Sequence, residues 1–260
     1  MSLPMPDQVT PFKDHFSQQS SAYAQYRPSY PAALFDWLAG VAPSLQLVWD
    51  AATGNGQAAV ALAEYFERVI ATEPSQGQLA NAEPRPNIEY RIEPAEVSSL
   101  PDASVDLITV AQALHWFDLP RFMQEADRVL KPGGVLAVWC YEVFSCDPKV
   151  DAIISEFYHG TIGPYWPPER RWIEQGYAGL VFPHPHLETP TLQMALSWDL
   201  AALVGYLGTW SATQRYKEDT SHDPLPALAE QLTAVWGDVA QPKQVSWPLK
   251  LQACRKPADR

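Results

Sequence analysis

The chain has 260 residues, enough for one large domain with a substantial buried core. Its 18 Lys and Arg are outweighed by 30 Asp and Glu, a formal charge of -12. That argues against nucleic acid and anionic membranes, which require basic surfaces. No signal-peptide pattern and no run of 18 apolar residues is present. The three cysteines, Cys140, Cys146 and Cys254, form no close metal-type pair and read as reduced thiols of a cytoplasmic protein.

In chain order, the first segment scatters Phe12, His15, Phe16, Tyr23, Tyr26 and Tyr30 among polar residues. Tyr23 and Tyr26 share a face if that segment is helical, with Arg27 beside them. Two readings stay open for residues 1–40: aromatics packed on a sheet edge, or a lid that brings Arg27 to an anion. Residues 32–39 read as a helix.

Residues 47–57 (LVWDAATGNGQ) are the centre of the chain: a short apolar strand, an acid, a turn with two glycines, then an alanine-rich helix over 58–65. Glycine there permits positive φ and close backbone approach to a ligand. The helix start presents free N–H groups to an anion. Further strands are expected at 68–73, 87–92, 104–111 and 135–140. Ser75 is placed to N-cap one helix and Asp118 another over 119–130, with Pro120 in its first turn. Residues 131–134 (KPGG) read as a sharp stop and turn. Five strands alternating with helices imply a doubly wound, mostly parallel α/β sheet, with ligands bound where the strands end.

After residue 141 the texture changes. Residues 147–162 look helical, 163–170 (GPYWPPER) form a rigid aromatic loop, and 142–190 read as an insertion over the open sheet edge. A strand at 191–198, helices at 200–207 and 225–236, and a last strand at 245–254 follow; Pro248 suggests that this strand is an edge or is bulged. No linker divides the chain, so residues 1–260 are one domain.

Gly54-x-Gly56-x-x-Ala59 fits a dinucleotide fingerprint, a weak match alone. Glu73, at the end of the second strand, suits an acceptor for two ribose hydroxyls. Asp50 at the loop would repel a pyrophosphate but suits a ligand with an ammonium and a sulfonium, a charge distribution that S-adenosylmethionine has. Asp50 can equally tie the loop together. His115, just past the fourth strand, is the candidate base by its ordinary titration range, and packing of His115-Trp116-Phe117 is the alternative. His184, His186 and Glu188 lack a matching further ligand, so no metal site is expected. Asp106 reads as a structural acid at a strand start.

WDAATGNGQ, TEPS, PAEVSSLPDASVDLITVAQALHWFD and VLKPGG, in that order, resemble the class I S-adenosylmethionine-dependent methyltransferases with a methyltransferase type 11 core. FSQQSSAYAQYRPSYP and GYLGTWSATQRY resemble the trans-aconitate methyltransferase-like subgroup. The resemblance implies a seven-stranded Rossmann-like sheet with an antiparallel last strand. It implies S-adenosylmethionine as cofactor and a small-molecule methyl acceptor, such as a carboxylate, attacked in line. By position it places Asp50, Ala52, Gly54 and Gly56 around the methionine part, Glu73 on the ribose, Ala95 and Glu96 by the adenine, and Ala111 and Gln112 under the amino-acid part. Tyr23 and Arg27 would belong to the lid. Ala52 departs from the family, which has glycine there. Tyr158, Tyr165, Trp166, Trp210 and Arg215 are candidates to line the acceptor pocket. The competing readings are a nicotinamide-dependent oxidoreductase and a non-catalytic adenosyl-ligand-binding protein.

Overall fold

The computed structural model describes residues 28–258. Tyr23 and Arg27 lie outside them, as does most of the lid segment. The first helix among the described residues, α1 (Ala32–Val41), follows Pro31 and buries Leu34, Phe35 and Leu38. Tyr30, just before it, is buried edge-on against Trp139, with ring centroids 5.5 Å apart.

Alternation then builds the sheet: β1 (Leu47–Ala51), α2 (Gln57–Leu62), β2 (Arg68–Thr72), α3 (Gln76–Leu79), β3 (Ile88–Arg91), β4 (Val105–Ala111), α4 (Leu119–Val129) and β5 (Leu130–Tyr141). Ser75 caps α3 by accepting from the Gln78 N–H, and Asp118 caps α4 by accepting from the Arg121 N–H. Both caps were expected from sequence. The seven strands lie in the order β3-β2-β1-β4-β5-β7-β6, where β6 is Leu192–Trp198 and β7 is Lys243–Arg255. The first five pair in parallel, and β7 runs antiparallel to both of its neighbours. Strand order reverses beside β1, so the crevice at the ends of β1 and β4 is the expected ligand position.

Both faces of the sheet are covered, which is why β1 and β4 are almost continuous buried runs. Trp49, Ile108 and Val138 point to the face that α4 covers with Phe122, Ala126 and Val129. Val48, Leu107 and Ala137 point to the other face, toward α1 and Leu62 of α2.

Two local expectations are corrected. Residues 131–134 do not end an element; they lie within β5, where Leu130 opposes Val105 but Val135 opposes Leu107. The extra residues form a bulge, with Gly133 at φ +80° and its N–H donating to the Lys256 carbonyl. Strand β7 is not an edge, since it lies between β5 and β6. Pro248 is tolerated because Ser246 exchanges two backbone bonds with Ser145, so Pro248, two residues on, faces the same side. The β5 pairing stops at Tyr141↔Leu249, and no ladder donor is required there.

Beyond β5, α5 (Pro148–Glu156) continues into one π turn, Phe157–Thr161, and then α6 (Arg170–Glu174). Helices α7 (Leu200–Gly208), α8 (Ser211–Thr220) and α9 (Leu225–Trp236) connect β6 to β7. Helix α9 packs on α5, and α8 packs on the Gly163–Tyr165 turn. Residues 148–165 therefore share this side of the molecule with α8 and α9, whereas Ile173, Tyr177, Leu180 and Phe182 join the cluster on the face that α4 covers.

Candidate active site

The loop after β1 alternates left-handed residues: Ala52 at φ +53°, Gly54 at +61° and Gly56 at +84°. Ala52 holds a left-handed backbone that glycine adopts freely, at a strain of roughly 1–2 kcal/mol for a residue with a Cβ. The loop is held from below. The Thr53 N–H donates to the Thr72 carbonyl at 2.9 Å, and the Gly56 N–H to the Thr53 carbonyl at 3.0 Å.

Asp50 lies under this loop and is fully buried. One carboxylate oxygen accepts from Thr53 Oγ1 at 2.5 Å, the other from Thr109 Oγ1 at 2.7 Å. It ties β1, β4 and the loop together. Burial pushes its carboxyl up to about 6, against the downward pull of the two hydroxyls. Glu73 is also buried, and its oxygens accept from the Gly54 N–H at 3.1 Å and the Ser75 N–H at 3.0 Å.

Ala95 is buried in the same apolar cluster as Ala51 and Leu114. Glu96 uses Oε1 to accept from the Asp118 N–H at 2.9 Å, joining its loop to the start of α4. Gln112, just after β4, is left-handed at φ +57°. Its side-chain amide receives the Tyr141 N–H at 2.9 Å and donates to the Tyr141 carbonyl at 3.2 Å, extending the sheet past Ala111.

The five proposed pocket residues come together. Tyr158 is 4.8 Å from Trp166 and 5.6 Å from Trp210 by ring centroids. Arg215 donates to the Tyr165 carbonyl at 3.3 Å, and the Tyr165 hydroxyl donates to Asp219 at 3.0 Å. At the centre stands Arg170, which sequence reasoning missed. Its Nε donates to the Tyr158 hydroxyl at 2.8 Å, and its guanidinium lies 4.6 Å from the Trp166 ring centroid. Tyr158 in turn donates to Glu174 at 2.7 Å.

His115 sits in the Leu114–Trp116 turn, against which α6 packs. Its Nδ1 is 3.2 Å from the Tyr177 hydroxyl. Burial, and then the Arg170 charge, push its imidazole down to about 3, so it is neutral near pH 7. Tyr177 was also missed; no sequence pattern links it to a turn 62 residues earlier. His184 and His186 diverge: His184 pairs with Asp127 at 2.8 Å, while His186 meets the Phe182 ring edge. Asp106 is structural as expected, accepting from the Leu47 N–H and from Lys131.

A family profile described as a methyltransferase domain matches residues 49–138, from Trp49 in β1 to Val138 in β5. A methyltransferase-named protein of Dictyostelium discoideum is 38% identical over 236 residues, covering 89% of both chains. The chain belongs to the class I S-adenosylmethionine-dependent methyltransferases. A solved structure from Anaeromyxobacter dehalogenans, described as a type II methyltransferase, superimposes with a TM-score of 0.85 at 45% identity, covering 90% of this chain and all of the other. A Saccharomyces cerevisiae protein named as S-adenosylmethionine-dependent is 33% identical over 135 residues, 47% of this chain and 45% of its own.

Family membership makes the protein an S-adenosylmethionine-dependent methyltransferase and sets aside the nicotinamide oxidoreductase. The residues present fit that cofactor. The loop amides and Glu73 converge at the switch point, and Asn55 Oδ1 and Gln57 Oε1 are buried there without a partner among the described residues. A polar ligand at the loop would satisfy such atoms. Among the described residues, no helix is long and apolar enough to cross a membrane.

Proposed function

We propose that this methyltransferase acts on a small molecule bearing a carboxylate, as expected of the trans-aconitate methyltransferase-like subgroup. The observation that carries the reading is Arg170. A guanidinium held between Tyr158 and Trp166, next to the His115 turn, gives an aromatic-walled site one fixed cation. Arginine forks match carboxylate geometry, and a flanking aromatic wall adds shape selection.

Bound S-adenosylmethionine would supply an activated methyl group that a nucleophilic oxygen can take up as the carbon–sulfur bond breaks and S-adenosylhomocysteine leaves. The loop at 52–56 and Asp50 would shape the site for the methionine part, with Ala111 and Gln112 beneath it. Glu73 would accept from the ribose hydroxyls, and Ala95 and Glu96 would border the adenine. Tyr23 and Arg27 would close the site as a lid. Tyr158, Tyr165, Trp166, Trp210 and Arg215, with Arg170, would orient the acceptor and exclude water. Alignment of this kind is worth roughly 7–11 kcal/mol in favourable cases. A carboxylate is already ionised near neutrality and needs no base.

The test is transfer of labelled methyl to a panel of small carboxylic acids, their primary amides, amines and phenols. Transfer to acids and not to amides is expected. Transfer only to amines or phenols refutes the carboxylate reading. Tight S-adenosylhomocysteine binding with no transfer to any acid, amine or phenol would favour a non-catalytic adenosyl-ligand-binding protein.

A further inference from the structure

Tyr177 is presented by an unusual piece of backbone. Gly176 at φ +56° and Tyr177 at φ +59° follow α6 as consecutive left-handed residues. A Cβ on Gly176 would come within 3.0 Å of the Lys250 side chain. Left-handed backbone at a tyrosine is strained and persists where its surroundings over-determine it. What it achieves is burial of the Tyr177 ring with its hydroxyl on His115 Nδ1.

The direction of that hydrogen bond follows from burial. Among the described residues, His115 Nδ1 is the hydrogen-bond partner of the buried Tyr177 hydroxyl. If Nδ1 donated, the buried O–H would be left unpaired, so Tyr177 donates and Nδ1 accepts. The imidazole proton is then on Nε2, across the ring and away from Tyr177. Arg170 opens the helix that packs on the His115 turn. Cys140, which bears on the Tyr177 hydroxyl, is pushed up to about 12 by burial and stays a neutral thiol.

We propose that His115 is not a base but a neutral N–H donor, held in the Nε2–H tautomer by Tyr177, and that with Arg170 it positions the non-attacking oxygen of an anionic acceptor. This rests on the carboxylate reading and names how that group is held. The attacking oxygen needs no proton removed, so a fixed donor serves the reaction where a base has nothing to take. Tyr177 is then a positioning residue that acts through His115.

The test is nitrogen-15 NMR of the imidazoles in the full-length chain between pH 5 and 9. An unprotonated Nδ1 and a protonated Nε2 are expected for His115, with no titration across that range. Tyr177→Phe, a nearly isosteric change, should shift the Nδ1 resonance toward a tautomer mixture. An Nδ1–H tautomer, or titration between pH 5 and 8, would overturn the proposal. With S-adenosylhomocysteine present, fumarate should shift the Nε2–H resonance in the wild type and fumaramide should not. Arg170→Met should abolish the fumarate response. If acids are methylated while that resonance stays unmoved, the donor role fails alone. If no acid is methylated and fumarate leaves the resonance unmoved, the carboxylate reading fails and this inference falls with it.

Discussion

Replacing Asp50 by asparagine tests whether a buried carboxylate holds the loop root at the expense of stability. Asp50 is fully buried, and its carboxyl is raised from an ordinary 3.8 to about 6. Between these values the folded chain binds more protons than the unfolded chain, so stability falls as pH rises through the window. The gap is about two pH units, worth about 3 kcal/mol at about 1.4 kcal/mol per unit. Asparagine has nearly the same shape, does not ionise, and keeps hydrogen-bonding groups for Thr53 and Thr109. For a chain of this size about 1 kcal/mol moves Tm by roughly 2–4 °C. The variant's Tm minus that of the wild type should therefore widen by about 6–12 °C between pH 4 and 7.5. Differential scanning calorimetry of both proteins across that range gives the difference directly and cancels every other titration. A difference that stays flat, or narrows with rising pH, refutes the reasoning.

Three further outcomes are expected. Glu73→Ala removes the acceptor of two loop amides and of the proposed ribose contacts; S-adenosylhomocysteine affinity by calorimetry should fall about 10- to 100-fold, and an unchanged Kd would mean the ribose lies elsewhere. Gly56→Ala would place a Cβ 2.6 Å from the Tyr90 hydroxyl at φ +84°, so urea unfolding should show a loss of about 1–3 kcal/mol, partly restored by adding Tyr90→Phe. Glu125 accepts from the Ser98 N–H and hydroxyl and pairs with Arg128, so Glu125→Ala should cost about 2–3 kcal/mol by the same measurement. Burial would raise the Glu125 carboxyl, but hydrogen bonds from Arg128 and Ser98 hold it below 4.5. Its contribution is therefore present above that value and lost as pH falls through the lowered one, the opposite sense to Asp50.

Sequence alone determined the sheet and the cofactor edge. β1 and β4 are short apolar runs bounded by turn chemistry, and the Ser75 and Asp118 caps are local hydrogen bonds written within three residues. Gly54 and Gly56 mark a ligand loop because side chains are poorly accommodated in its backbone. Periodicity, capping and positive φ are all properties of adjacent residues, so they survive in one dimension. Tertiary structure decided what depends on distant partners. It placed Asp50 beneath the loop, because its fate rested on Thr109, 59 residues away. It absorbed residues 131–134 into β5, because the carbonyls of Lys256 and Pro257 accept from the Gly133 N–H. It made Pro248 acceptable inside the sheet, because β5 ends one pair earlier. Above all it set the helix that begins at Arg170, and Tyr177 after it, against the turn that holds His115. Which side chains meet across a sheet edge depends on how covering helices close over it, and no local pattern carries that information.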